Sequence, residues 1–524
     1  MSNFSKTQTV RKRADATRSG IVAAQHRRAA EIGAGVLEAG GDAIDAAIAT
    51  SFAIGVVEPW MSGPAGGGAM TIWREAEQRA YTLFFGMRSP RALDPADYPL
   101  DGLGRPSDLF PWPSVVDDRN VQGATAIAVP GTVAGMELAH RSFGRLPWSD
   151  LLMPAVDLAR GGMLVDWYAS LMIASTARDL ARDADAAAMF LDDGQWPKVT
   201  GWTVLAQKRL DQSRLAETLA RLAEAGPRDF YQGEIARAMV ADIAAKGGCL
   251  SLDDLASYEA RLTGTIQTSY RGGLVHGPQG LTAGPSLAEC LQIMEADFSP
   301  GPAPDGASYA AMARALGVSY ERRLAGMGDL DAPHAPSSTT HFSVVDRHGN
   351  MVAVTQTLLS VFGSRVVSPS TGLLMNNGIM WFDPEPGKPN SLGPGKGCLM
   401  NICPVIGEKD GRRFAIGASG GRKILPAVLN LTSFMLDFGM TLEQALHQPR
   451  IDNSGDGIVI ADEMLPPEII AALGAELRIA TAQRTVFPYA FACPAGVMRE
   501  NGLNTGCTEI MSPWGDAAQE GNGV

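Results

Sequence analysis

Two threonines, Thr339 and Thr340, head a β-branched, alternating run that ends at Asp346, well inside the chain. A threonine hydroxyl is a weak nucleophile and needs a base beside it. If the peptide bond between Ser338 and Thr339 were cut, Thr339 would carry that base itself, as a free α-amine next to its hydroxyl. An α-amine titrates at about pH 7.7–8.0, so a useful fraction is unprotonated near neutrality. One residue would then hold both groups needed to attack an amide carbonyl and form an acyl-enzyme. A Thr-Thr pair alone is ordinary strand composition, so this chemistry depends on what surrounds it.

Local pattern supplies the elements that must position Thr339. Alternation over 340–345 predicts a strand, Asp346-Arg347-His348-Gly349-Asn350 predicts a turn, and 351–357 predicts the returning strand. Pro333 and Pro336 keep the segment before Thr339 extended. Helical spacing runs over 29–38 and 43–55, with Gly40-Gly41 as a stop between them, and again over 151–160, 215–225, 234–245 and 307–316; Leu252 begins another helix. Strands are expected at 69–73, 80–85 and 262–270. This is an α/β (α+β) mixture, and periodicity alone does not choose among its layerings.

Further motifs accompany the threonines. Thr339-Thr340-His341-Phe342-Ser343-Val344-Val345-Asp346 is followed by Val354-Thr355-Gln356-Thr357, Phe362-Gly363-Ser364, Asn376-Asn377-Gly378 and Ser419-Gly420-Gly421. Upstream stand Gly20-Ile21-Val22-Ala23-Ala24-Gln25-His26, Ala39-Gly40-Gly41-Asp42-Ala43, Val57-Glu58-Pro59-Trp60-Met61-Ser62-Gly63, Gly66-Gly67-Gly68, Val129-Pro130-Gly131-Thr132 and Phe230-Tyr231-Gln232-Gly233-Glu234. In this order they resemble the γ-glutamyltransferase family of N-terminal-nucleophile hydrolases. The resemblance implies a four-layer αββα sandwich and a precursor that cleaves itself into two associated subunits, 1–338 and 339–524. It implies Thr339 as nucleophile, Thr357 as a second threonine bonded to it, and Gly420 and Gly421 as oxyanion donors. The seven histidines show no metal-ligand spacing such as His-x-x-x-His, and no cofactor or metal is expected.

The family's grip on a glutamyl head is not matched. Where its arginine, asparagine, glutamine, aspartate and serine pair stand, this chain has Gly86, Leu359, Gly378, Trp381 and Met400-Asn401. An α-ammonium left unpaired among Leu359, Trp381 and Met400 would cost several kcal/mol. The expected acyl group therefore lacks an amino-acid head. Leu359, Met380, Trp381, Phe382 and Met400 would make an apolar pocket, and Arg88 could hold a distal carboxylate such as a glutaryl group carries. The stretch 377–384 resembles the branch that includes cephalosporin (glutaryl) acylases. Asp383, turned inward, would instead replace the missing aspartate and keep a glutamyl substrate open. Three readings result: a self-processing threonine amidohydrolase, a glutathione-type γ-glutamyl hydrolase or transferase with a rebuilt clamp, or a scaffold without turnover.

Composition narrows the class. With 45% apolar and 19% charged residues in 524, the chain can bury a large core, and no linker divides it. A net charge of -12 disfavours nucleic acid and anionic membrane as partners. A small-molecule amide is the expected partner besides the paired subunits, and oligomeric state beyond that pair stays open. The basic N-terminus, with Arg11-Lys12-Arg13, is followed by no apolar signal core, so a cytoplasmic protein is expected. Six scattered cysteines make no disulfide framework, although Cys398 and Cys403 could line the pocket. His341 reads as a structural histidine. Gly66-Gly67-Gly68 lacks the Lys-Ser or Lys-Thr of a phosphate loop and reads as close backbone packing.

Overall fold

A computed structural model describes residues 7, 9–104, 112–199, 207–280, 282–327, 339–454 and 457–521. The segment 331–338, with Pro333, Pro336 and the Ser338 side of the expected cleavage bond, lies outside the described residues.

The strands flanking the threonines form as the pattern predicts. Thr340–Val345 and Met351–Thr357 pair antiparallel, from Thr340 opposite Gln356 to Val345 opposite Met351. Asp346 closes the turn, its Oδ1 accepting the N–H groups of His348 and Asn350 at 2.9 and 3.0 Å. Gly349 supplies the left-handed φ of +96° that the turn requires.

Fourteen strands build two seven-stranded sheets. They are β1 (Asp15–Thr17), β2 (Ile21–Ala24), β3 (Gly67–Arg74), β4 (Arg79–Phe85), β5 (Arg261–Thr263), β6 (Ile266–Tyr270) and β7 (Gly273–Gly277). There follow β8 (Thr340–Val345), β9 (Met351–Thr357), β10 (Val405–Lys409), β11 (Arg412–Ser419), β12 (Cys493–Glu500), β13 (Leu503–Thr508) and β14 (Asp516–Gln519). One sheet runs β1-β13-β12-β11-β10-β7-β6, the other β14-β2-β8-β9-β3-β4-β5. The expected single strand over 262–270 is a correction: the chain breaks at Gly264, so Arg261–Thr263 edges the second sheet and Ile266–Tyr270 edges the first. The pattern stays continuous across the break because it records which residues fit a pleat, not which sheet receives them.

Helices cover both outer faces. Val22, Met70, Leu83, Phe342, Val344, Val352 and Val354 of the second sheet share a core with α1 (Arg27–Glu38), α2 (Ala43–Val57), α3 (Trp148–Gly161) and α4 (Ser213–Ala225). Val275, Val405, Phe414 and Ile416 of the first sheet pack under α5 (Gly284–Asp297), α6 (Gly306–Gly326) and α7 (Ile424–Leu436). Between the sheets lie Ile21, Ala23, Trp73, Val345, Met351, Ala353, Ile406, Ala415 and Val497. The result is a four-layer αββα sandwich. Its helix α2 is buried along its whole length, as an all-round apolar helix must be. A capping box of Asp42 and Asp45 starts it, and it ends by carrying Glu58 into the core. No helix among the described residues is long and apolar enough to cross a membrane.

Candidate active site

Thr339 precedes β8 and Thr357 ends β9, and both are fully buried. Along β8 the even-numbered Phe342 and Val344 face the helices. The odd-numbered His341 faces the other sheet, where a Cβ on Gly417 would fall 2.5 Å from its ring. The register, continued by one residue, sets Thr339 opposite Thr357 on that inter-sheet face. Directly opposed residues of an antiparallel pair stand about 4.5–5.5 Å apart at Cβ. Thr357 Oγ1 also accepts the Leu359 N–H at 2.7 Å.

The glycine cluster explains how β3 lies so close to Thr357. Gly67 pairs with Thr357, and a Cβ on Gly66 would sit 2.2 Å from the Thr357 carbonyl oxygen. On Gly68 it would sit 2.3 Å from that of Thr355. Backbone fills the space a side chain would need.

Across the sandwich, β11 ends at Ser419 and leads into Gly420 and Gly421, with φ of +134° and +62°. This left-handed pair turns the chain into the short helical turn that begins α7. A hydrogen-bond chain joins it to the threonine strand. Thr340 Oγ1 lies 3.2 Å from Gln25 Oε1, and Gln25 Nε2 donates to Ser419 Oγ at 2.8 Å and to the Cys493 carbonyl at 2.5 Å. Thr340 Oγ1 is also 3.0 Å from Glu58 Oε2. Burial pushes the Glu58 carboxyl up to about 8, against the opposing pull of its hydrogen bond with Thr340. Neither Gln25, Glu58 nor Ser419 was singled out for chemistry by sequence. The available signal was an acidic residue closing the mostly apolar helical run 43–57.

His341 is bracketed by hydroxyls, Nδ1 2.8 Å from Thr355 Oγ1 and Nε2 2.9 Å from Ser343 Oγ. Burial pulls it down to about 3, so it is a neutral imidazole tying strands together.

The residues expected to form an acyl pocket assemble in part. Leu359, Met380, Trp381, Phe382, Met400 and Cys398 belong to one buried apolar cluster. A Cβ on Gly86 would lie 3.0 Å from Met400 Sδ, so these two clamp positions are neighbours. Gly378 opens the helical turn Gly378–Trp381, its N–H held by Asn376 Oδ1 at 2.9 Å. Buried Trp381 Nε1 and Asn401 Nδ2 have no hydrogen-bond partner among the described residues. Leu359 has φ +88°, a left-handed value costly for a branched side chain. Arg88, by contrast, is exposed, and its guanidinium donates to the Gly395 carbonyl at 2.9 Å. Asp383 is buried, which raises its pKa, and its Oδ1 accepts the Glu385 N–H at 2.9 Å in a local turn. Cys403 lies in the other core, under α5 to α7. Among the described residues no cluster of three or more His, Cys, Asp or Glu could hold a metal. A cleft of about 700 Å³ lined by Glu75, Arg413 and Arg499 sits at the Gly349 turn, the opposite end of β8 and β9 from Thr339.

A family model described as gamma-glutamyltranspeptidase matches residues 29–338 and 331–501. An acylase ACY 1 proenzyme of Pseudomonas sp. (strain V22) is 34% identical over 494 residues, covering 87% of this chain and 86% of the relative. A glutathione hydrolase proenzyme of Pseudomonas sp. (strain A14) is 32% identical over 486 residues, covering 82% and 80%. Among solved structures, a cephalosporin acylase from Bacillus halodurans superposes with a TM-score of 0.82 over 98% of each chain at 24% identity, a likeness of fold. With the family match spanning both halves of one αββα body, this chain is an enzyme of the γ-glutamyltranspeptidase family of N-terminal-nucleophile hydrolases.

Proposed function

We propose that this protein is a precursor that cuts its own Ser338–Thr339 bond and then works as a threonine amidohydrolase on a small amide whose acyl part lacks an amino-acid head. Thr339 Oγ1 attacks the amide carbon while its α-amine takes the hydroxyl proton, the amine leaving group departs protonated, and water resolves the acyl-enzyme. Thr357 orients the nucleophile from across the strand pair. The N–H groups of Gly420 and Gly421 stabilise the tetrahedral oxyanion, a contribution whose loss typically costs about 10²–10³ in turnover.

The observation that carries the reading is the antiparallel register of Thr340 opposite Gln356, which continued by one residue brings Thr339 against Thr357, in a strand tied through Gln25 to the residue before the glycine pair. The acyl preference is supported by the buried cluster of Leu359, Met380, Trp381, Phe382 and Met400. Of the polar atoms without a partner among the described residues in that region, Trp381 Nε1 and Asn401 Nδ2 are donors, and Asn390 Oδ1, whose amide donates to the Trp381 carbonyl, is an acceptor. The two donors suit an acceptor on the acyl group. The names of the relatives, an acylase proenzyme and a glutathione hydrolase proenzyme, agree with a self-processed amide hydrolase.

The test is kcat/KM of the matured protein on glutaryl and γ-glutamyl anilides, which differ only in the α-amino acid head. A glutaryl rate equal to or above the γ-glutamyl rate is expected. A marked γ-glutamyl preference would instead establish a rebuilt glutamyl clamp.

A further inference from the structure

We propose that Glu58 is a positioning residue for the threonine nucleophile: as a neutral carboxyl it donates to Thr340 Oγ1 and leaves the Thr340 proton for Gln25 in the chain Thr340–Gln25–Ser419, and on ionisation it breaks that chain between Thr340 and Gln25. The inference rests on the reading of Thr339 as a self-released nucleophile and adds a control on it.

The geometry is specific. α2 ends at Glu58 and delivers its carboxyl to the first side chain after Thr339. Thr340 Oγ1 stands between two acceptors, Glu58 Oε2 at 3.0 Å and Gln25 Oε1 at 3.2 Å, but its hydroxyl has one proton to give. A protonated Glu58 donates to Thr340, which leaves the threonine proton for Gln25. The Gln25 amide, which also accepts from Ser419 Oγ at 3.1 Å, thereby links the threonine strand of the second sheet to Ser419 and the Cys493 carbonyl in the first. An ionised Glu58 accepts only, takes the Thr340 proton, and strips Gln25 Oε1 of that donor while the carboxyl proton passes to solvent. The strand that carries Thr339 then loses its tie to the residue preceding Gly420.

The surroundings keep Glu58 neutral near pH 7. The groups that face it are Tyr168, from the helix Trp167–Leu180, together with Tyr489 and Cys493. Burial raises all three, and the two tyrosine hydroxyls bond each other at 2.6 Å. Beyond Cys493, Glu509 is paired with Arg450, and Lys12 donates to Thr508 Oγ1 and to the carbonyls of Ser512 and Gly515. Burial pushes Glu58 itself up to about 8, while it raises Tyr168, Tyr489 and Cys493 above their ordinary values, so of the groups facing it Glu58 is the one that changes charge near that pH; Lys12, farther out, is lowered by burial.

Self-cleavage of the precursor isolates the effect, because before cleavage no α-amine exists at Thr339 to titrate. Precursor made by cell-free synthesis is followed by intact mass between about pH 6 and about pH 10. Wild type should cleave more slowly as pH rises through about 8, whereas Glu58→Gln, whose amide donates at every pH, should stay at least about fivefold faster than wild type at about pH 9. An alkaline fall as steep in Glu58→Gln as in wild type would overturn the role of Glu58. Should Glu58→Gln fail to fold, Thr340→Val must cleave about tenfold slower with a flat alkaline limb, and Thr340→Ser must restore both rate and limb. A Thr340→Val profile matching wild type overturns the proposal. A wild-type chain intact at every pH sinks the self-cleavage reading instead, a result visibly different from unchanged pH dependence in a chain that does cleave.

Discussion

Gly66 touches Thr357 backbone to backbone: a Cβ on the glycine would stand 2.2 Å from the threonine carbonyl oxygen, closer than any real contact. The obstacle is main chain, which cannot swing aside. Gly66→Ala should therefore displace Thr357 from Thr339, slow maturation by at least about tenfold and cost about 1–3 kcal/mol of stability. Precursor accumulation on a denaturing gel and a urea midpoint check this, and a normally maturing Gly66→Ala would exclude close packing as the reason for the glycine.

Thr339→Ala should run as one full-length chain, because no hydroxyl remains to attack the preceding peptide. Thr339→Ser should still yield fragments of 338 and 186 residues, the latter being 524 − 338. Cleavage of Thr339→Ala at the same bond would remove Thr339 as the nucleophile.

Leu359 holds a left-handed φ of +88° two residues after Thr357, a conformation that asparagine tolerates better than leucine. Leu359→Asn should cost little stability, and it should raise γ-glutamyl relative to glutaryl turnover by about tenfold through a new polar group in the apolar cluster. An unchanged ratio would place residue 359 outside the acyl pocket.

Two buried groups give stability opposite pH dependences. Glu58 goes from 4.5 to about 8 on folding, so the folded state binds the proton more tightly; the stability this gives is complete below about 4.5 and is lost as pH rises through about 8. His341 falls from 6.5 to about 3, so its contribution is present above 6.5 and is lost as pH falls through about 3. Glu58→Gln should thus gain stability over wild type progressively from about pH 4.5 to about pH 8. Thermal melts across that range check it, and a constant difference would mean that Glu58 does not titrate there.

The hairpin of β8 and β9 was legible to the residue because alternation and the Asp346–Asn350 turn are local properties of the chain. So were Gly40-Gly41 as a helix stop and most helix cores. The break at Gly264 was not, because residues on either side suit strands equally and only the packed sandwich assigns them to different sheets. Ser419-Gly420-Gly421 was found through resemblance, but its tie to Thr340 runs through Gln25, 315 residues from Thr340 and 394 from Ser419 in sequence. Arg88, matched by position near the glutamyl clamp, lies exposed, since where a long charged side chain points is decided by neighbours the sequence does not specify. Sequence by itself determined the strand and its turn, each encoded within a few adjacent residues, and the nucleophile candidate, through motifs spread along the chain. Tertiary structure decided which distant groups meet it and how they ionise, because both depend on packing between separately folded layers and on the exclusion of water.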